Sequence, residues 1–253
     1  MFESKILNVT IRKPKIHFIP DVVYAQVPTF EKPNQLLQMD LLIPQIEKKL
    51  PTVIFVTGGG FISSNRARMP QLRMYLAERN FVVASINYRT APNSKFPQPV
   101  EDVKSAIRFL KVNAFRFNVD TEKIFVIGDS AGGFLTAFVA VTNEEKILAA
   151  VDLYGVLDLK AIAKIFPLEG FFDATEEVDP IKYVTKNSAP MLLMHGTADN
   201  IVSPAQTDLL FQALKSHGVK AERYLIPNAN HADEYWQQPE VLNVIAEFLE
   251  AHL

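Results

Sequence analysis

The run Lys123-Ile124-Phe125-Val126-Ile127-Gly128-Asp129-Ser130-Ala131-Gly132-Gly133 decides how the rest of the chain is read. A β-prone apolar stretch enters Gly-x-Ser-x-Gly, and an apolar stretch of helical character, Phe134 to Val141, leaves it. A nucleophile elbow needs that context, because a sharp strand-to-helix turn lifts a serine hydroxyl clear of the backbone. Gly128 and Gly132 suit such a turn: where a strand packs closely on a helix there is no room for a Cβ on either side of the serine. The tripeptide pattern is weak alone; the strand before it and the helix after it give it weight.

Outward from the elbow, strands and helices alternate. On the N-terminal side, Thr52–Thr57 is a continuous apolar run, as expected of a strand buried on both faces, and Phe81–Tyr88 is a second strand. Leu72, Tyr75 and Leu76 sit between them at helical spacing, and Pro99–Phe115 reads as a helix with proline in its first turn. On the C-terminal side, strands are predicted at Ala149–Tyr154, Met191–Met194 and Ala221–Ile226, with helices at Pro204–Ser216 and Pro239–His252. Residues 5–43 alternate like antiparallel strands, with Ile6, Val9 and Ile11, then Val22–Val27, then Leu36–Ile43, punctuated by prolines. The fold class is therefore α/β: a mostly parallel central sheet flanked by helices, with an antiparallel N-terminal lead-in. One domain is expected over 1–253. Residues 156–190, which carry Phe166, Leu168, Phe171 and Phe172 among charges and prolines, break the alternation and are the candidate short lid.

Composition narrows the function. The chain is 48% hydrophobic and 21% charged, an ordinary globular balance, and its formal net charge of −2 leaves no basic footprint for nucleic acid. It has no cysteine, so disulfides, thiol nucleophiles and thiolate metal sites are excluded together. Neither a signal-peptide pattern nor an apolar run of membrane-spanning length is present, and a cytoplasmic location without a membrane partner is the expectation.

A serine nucleophile needs a base, an orienting acid and a site for the oxyanion. Chemistry on open α/β sheets gathers beyond the carboxyl ends of the strands. Asp199 follows the strand Met191–Met194, and His231 follows Ala221–Ile226, so Ser130, Asp199 and His231 fall at three strand ends. Their chain order, Ser, Asp, His, is the one this sheet type uses. His195 is the rival base, and Asp152, Asp158 and Asp233 are the rival acids. Asp129 is beside the serine, but its side chain should point away from it. Gly58-Gly59-Gly60, after the first buried strand, frees backbone N–H groups for an oxyanion, and the N–H of Ala131 at the start of the next helix is another donor. A dinucleotide reading of the loop fails because no acid ends the following strand, where Ser85-Ile86-Asn87-Tyr88 stands. The phosphate-loop lysine and His-Glu-x-x-His motifs are both absent.

Gly-Asp-Ser-Ala-Gly-Gly, the glycine triplet, His195-Gly-x-x-Asp199 and Asn230-His231 together resemble an α/β-hydrolase. More narrowly, the chain is similar to the hormone-sensitive-lipase-like carboxylesterases, especially the small esterases of lactic acid bacteria, from about Val53 onward. The resemblance implies hydrolysis of small, short-acyl carboxylic esters through an acyl-enzyme, without metal or organic cofactor. It also implies Gly59 and Gly60 as oxyanion donors beside Ala131. The family usually has His before its glycines, and this chain has Thr57. The links at 142–149 and 155–190 look shorter than in those relatives, and no helical cap precedes Thr52, which implies a more open pocket. Phe61, Ile62, Phe171, Phe172 and Trp236 are candidates for pocket walls, with ordinary core packing as the competing role for each. An amidase such as an arylformamidase, or a prolyl-oligopeptidase-type peptidase, would use the same triad. A non-catalytic binding protein of this fold would have no need of all three residues.

Overall fold

The computed structural model describes residues 4–164, 168, 170–172 and 177–253. An eight-stranded sheet runs through it in the order β1-β2-β4-β3-β5-β6-β7-β8. β1 (Ile16–Val27) and β2 (Gln35–Pro44) form an antiparallel pair, and β2 meets β4 (Val82–Ile86) antiparallel as well. From β4 onward the sheet is parallel through β3 (Leu50–Val56), β5 (Val119–Asp129), β6 (Ala149–Leu153), β7 (Met191–Gly196) and β8 (Ala221–Ile226).

The inner strands are mostly apolar because helices cover both of their faces. Every residue of β4, β6 and β7 is buried. On one face lie α2 (Gln98–Val112) and α4 (Ala131–Thr142), packed on Ile54, Val126 and Leu193. On the other lie α1 (Pro70–Glu78) and α7 (Pro239–Glu250), packed on Phe55, Phe125 and Leu192. α6 (Ala205–Ser216) and the short α3 (Ala114–Phe117) complete the flanks. α4 directly follows the elbow and is buried almost throughout, which explains its unbroken apolar sequence.

One expectation is revised. Ile6, Val9 and Ile11 alternate like a strand, yet residues 4–15 form none and these side chains are 91%, 77% and 89% exposed. Alternation marks a strand only where a neighbour satisfies its backbone, and here the sheet edge is β1, which begins at Ile16. In the stretch 156–190, the described residues form a short helix, α5 (Leu159–Ile162), and a 3₁₀ turn at Pro180–Tyr183. Leu159, Leu168, Phe171, Val178 and Val184 are buried in the same core as α2 and α4, while Phe166 lies outside the described residues.

Candidate active site

The elbow comes from chain geometry. Ser130 has φ 53° and ψ −117°, a conformation L-residues avoid, between the last residue of β5 and the first of α4. It is held by its N–H on the Leu153 carbonyl at 2.9 Å and by the Phe134 N–H donating to its own carbonyl at 3.2 Å. A Cβ on Gly128 would come within 2.2 Å of the Gly132 carbonyl oxygen, and one on Gly132 within 2.0 Å of the Val56 oxygen. Strand, turn and helix therefore pack at a distance that glycine alone permits.

Three strand ends bring three side chains into a line. Ser130 Oγ lies 2.8 Å from His231 Nε2, and His231 Nδ1 lies 2.8 Å from Asp199 Oδ2. Asp199 Oδ1 accepts the N–H groups of Ile201 and Val202 at 2.9 and 2.8 Å. Burial opposes the charge on Asp199, but the hydrogen bonds from His195, His231 and these two N–H groups outweigh it. The carboxyl is thus held well below the usual carboxylate range. A permanent carboxylate at Nδ1 requires the proton there, which leaves Nε2 as the acceptor facing the serine hydroxyl.

The histidine loop is braced from below. Asn230 Oδ1 accepts the N–H groups of Asn200 and His231 at 3.1 and 2.7 Å, joining the acid loop to the base loop. Tyr154 meets the imidazole edge-on at 4.9 Å between ring centres and packs on Trp236 at 4.3 Å. Trp236 Nε1–H donates to the Asn230 carbonyl at 2.9 Å. The rival residues lie off this line, His195 touching it only at Asp199, with Nε2 3.2 Å from Oδ2. His195 is fully buried with Nε2 on the Val202 carbonyl at 2.9 Å, and Asp233 takes the Tyr235 N–H at the start of a 3₁₀ turn. Asp158 is exposed near the start of α5, and Asp152 is buried in β6.

The glycine loop rests on the elbow. The Gly58 N–H donates to Asp129 Oδ1 at 2.7 Å, and a Cβ on Gly58 would lie 3.1 Å from that of Ser130. Gly59 and Gly60 have φ of 151° and 60°, and Gly59's carbonyl closes the turn by accepting from Ile62 and Ser63, each at 3.1 Å. The N–H groups of Gly59, Gly60 and Ala131 donate to no described residue. Asp129 does point away from the serine side chain. Its Oδ2 takes Arg68 Nη2 at 2.7 Å and the Tyr154 hydroxyl at 3.3 Å. Thr57 is held by its carbonyl, which accepts the Tyr88 hydroxyl at 2.7 Å.

The candidate walls divide. Phe61, Phe171 and Trp236 are 0%, 1% and 1% exposed, and Phe61 packs on Phe134 and Phe171 with ring centres 5.4 Å apart in each case. All three are core side chains. Phe172 is half-buried against the same core and Ile62 is 44% exposed. A cavity of about 170 Å³ opens next to the histidine loop between Arg68, Met69, Tyr154, Ala232 and Trp236. Sequence reasoning missed Asn230 and Tyr154 as braces. An amide directly before the proposed base was the signal for the first, and none marked the second.

The family described as BD-FAE matches residues 39–214. The esterase LipC of Mycobacterium tuberculosis is 28% identical over 231 residues, which cover 79% of this chain and 57% of that protein. The chain thus spans less than two thirds of the length of that relative. Among solved structures, a truncated carbohydrate esterase from gut microbiota superposes with a TM-score of 0.82 at 24% identity, covering 96% of this chain and 98% of the other. Esterase 2 of Thermogutta terrifontis with propionate bound gives a TM-score of 0.77 at 25% identity over 94% of each chain. The same esterase has also been solved phosphorylated by paraoxon.

Proposed function

Because the chain belongs to the BD-FAE family and has the α/β-hydrolase fold, we propose that it is a serine carboxylesterase acting on small, short-acyl esters. The observation that carries this reading is the hydrogen-bonded line Ser130–His231–Asp199, with 2.8 Å at both joints. His231 Nε2 takes the hydroxyl proton as Ser130 Oγ attacks the ester carbonyl. The N–H groups of Gly59, Gly60 and Ala131 receive the oxyanion. His231 then returns the proton to the leaving alkoxide, and an alcohol departs from the acyl-enzyme. Water repeats the sequence, losing its proton to His231, and the carboxylic acid leaves as Ser130 Oγ regains a proton.

The small acyl group is supported by the burial of Phe61 and Phe171, which fill space beside the glycine loop rather than opening an apolar trough. The propionate bound by the Thermogutta esterase is consistent with the same size class. The test is a panel of nitrophenyl esters from acetyl to decanoyl, with matched amides, on wild type and Ser130→Ala. Turnover should be fastest for the shortest esters and fall by several orders of magnitude in the variant, with fluorophosphonate labelling lost. Near wild-type turnover by Ser130→Ala would refute the assignment.

A further inference from the structure

The proton transfers from Ser130 make no use of His195, a fully buried residue at the end of β7. It is on the same face of the strand as Leu193, which packs in the core beneath α4. The partners of its ring assign the hydrogen. Nε2 is 2.9 Å from the Val202 carbonyl oxygen and 3.2 Å from Asp199 Oδ2. A carbonyl and a carboxylate only accept, so the hydrogen is on Nε2. Nδ1 has no hydrogen-bond partner among the described residues.

This N–H closes a ring of contacts around the acid. Val202 donates its N–H to Asp199 Oδ1 at 2.8 Å while its carbonyl takes the His195 hydrogen, so the buried Val202 is gripped at both ends. Ile201 donates to the same Oδ1 at 2.9 Å. Oδ2 is left between two imidazoles, with His231 Nδ1 at 2.8 Å and His195 Nε2 at 3.2 Å. A carboxylate offers about four lone-pair sites, and a nitrogen donor stands near each of them. Without His195 the Val202 carbonyl would lose its side-chain donor inside the protein, and Oδ2 would answer to His231 alone.

We infer that His195 is a positioning residue, whose Nε2–H holds the acid loop at Val202 and keeps Asp199 Oδ2 aimed at His231. The same hydrogen also competes with His231 for Oδ2, which weakens the carboxylate's hold on the imidazolium form of the base. Removing it tightens that hold, so His231 takes its proton at a higher pH. The other charged groups on the elements around His195 are Asp152 on β6, Asp158 beyond it, and Asp208 of α6, which pairs with Arg223 of β8 at 3.2 Å. The Asp129 carboxylate is turned to Gly58 and Arg68.

The inference rests on the esterase reading, and two arms keep them separable. The kinetic arm compares His195→Gln, whose amide NH₂ can reach the place of Nε2, with His195→Leu, which fills similar space without a donor. His195→Leu should lower kcat about tenfold with little change in KM, and move the acid limb of kcat/KM upward by about half a pH unit. His195→Gln should recover most of both. Equal losses in the two variants, or a wild-type acid limb in His195→Leu, would overturn the role. The second arm needs neither turnover nor a change at His195. In the Ser130→Ala protein, ¹⁵N and proton NMR should show hydrogen on His195 Nε2, and a cross-peak between it and the Nδ1–H of His231 where the two meet at Asp199. A bare Nε2, or a missing cross-peak, would also overturn it. Failure of wild type to turn over any ester would instead sink the esterase reading and leave the spectra to decide the place of His195.

Discussion

Asp129 ties the glycine loop to the Ser130 turn: its Oδ1 accepts the Gly58 N–H at 2.7 Å across 71 residues of sequence. Arg68 and Tyr154 occupy its other oxygen, so the carboxylate is neutralised and saturated inside the protein. The resembled esterases usually have His where this chain has Thr57. Here the loop is anchored by the residue before the serine and by the Tyr88 hydroxyl on the Thr57 carbonyl.

Asp129→Asn replaces an acceptor with a donor opposite Arg68 and loosens Gly58. The expected result is a kcat at least about tenfold lower, approaching the roughly 10²-fold effect of losing one oxyanion donor. KM should change little. Arg68 is one-third exposed, so losing its charged partner costs about 1.5–3 kcal/mol, and each kcal/mol is about 2–4 °C of Tm in a chain of this size. Steady-state kinetics and a thermal melt on the same sample check both; an unchanged kcat would remove Asp129 from the loop's support.

Trp236 separates a pocket wall from a brace. Its indole N–H holds the Asn230 carbonyl and its ring supports Tyr154 under His231. Trp236→Phe keeps the bulk and loses the hydrogen bond, so kcat should fall for every ester by a similar factor, on the order of fivefold, with about 1 kcal/mol lost from stability. A changed preference between acetyl and butyryl esters would return Trp236 to the pocket.

Asp199 sets an acid dependence of stability. Its folded-state pKa is depressed below the unfolded value near 3.9. The stabilisation is therefore present above about pH 4 and is lost as pH falls below it, at no more than about 1.4 kcal/mol per unit. Urea midpoints of wild type and Asp199→Asn should differ most at pH 6 and converge toward pH 3. A gap that stays constant with pH would mean the carboxylate is not held by its hydrogen bonds.

Much of the architecture was legible because buried parallel strands have a strong signature. Val53–Val56 and Ile124–Ile127 read as unbroken apolar runs, and Val82–Ile86 as one interrupted only by Ser85, since helices cover both faces. The elbow was legible because its glycines are required by contacts at 2.0–2.2 Å. Strand ends also picked out the three side chains that the structure brings within hydrogen-bond distance. Elsewhere, sequence was silent. Ile6 and Ile11 alternate like Val22–Val27, and only the presence of a partner strand tells them apart. Phe61, Phe171 and Trp236 offer the same apolar surface to a core or to a ligand, so residue type could not assign them. Asn230 and Asp129 act through contacts between distant segments, which local pattern does not encode.

Ser130 has its φ of 53° because its neighbours force it, and such a conformation costs on the order of 1–3 kcal/mol. A mutation that spared the chain this contortion would be welcomed by the fold and fatal to the chemistry. Ser130→Gly, comfortable at that angle, is expected to melt higher than the parent while losing the proposed ester hydrolysis, so selection for robustness alone would favour a chain without that hydroxyl.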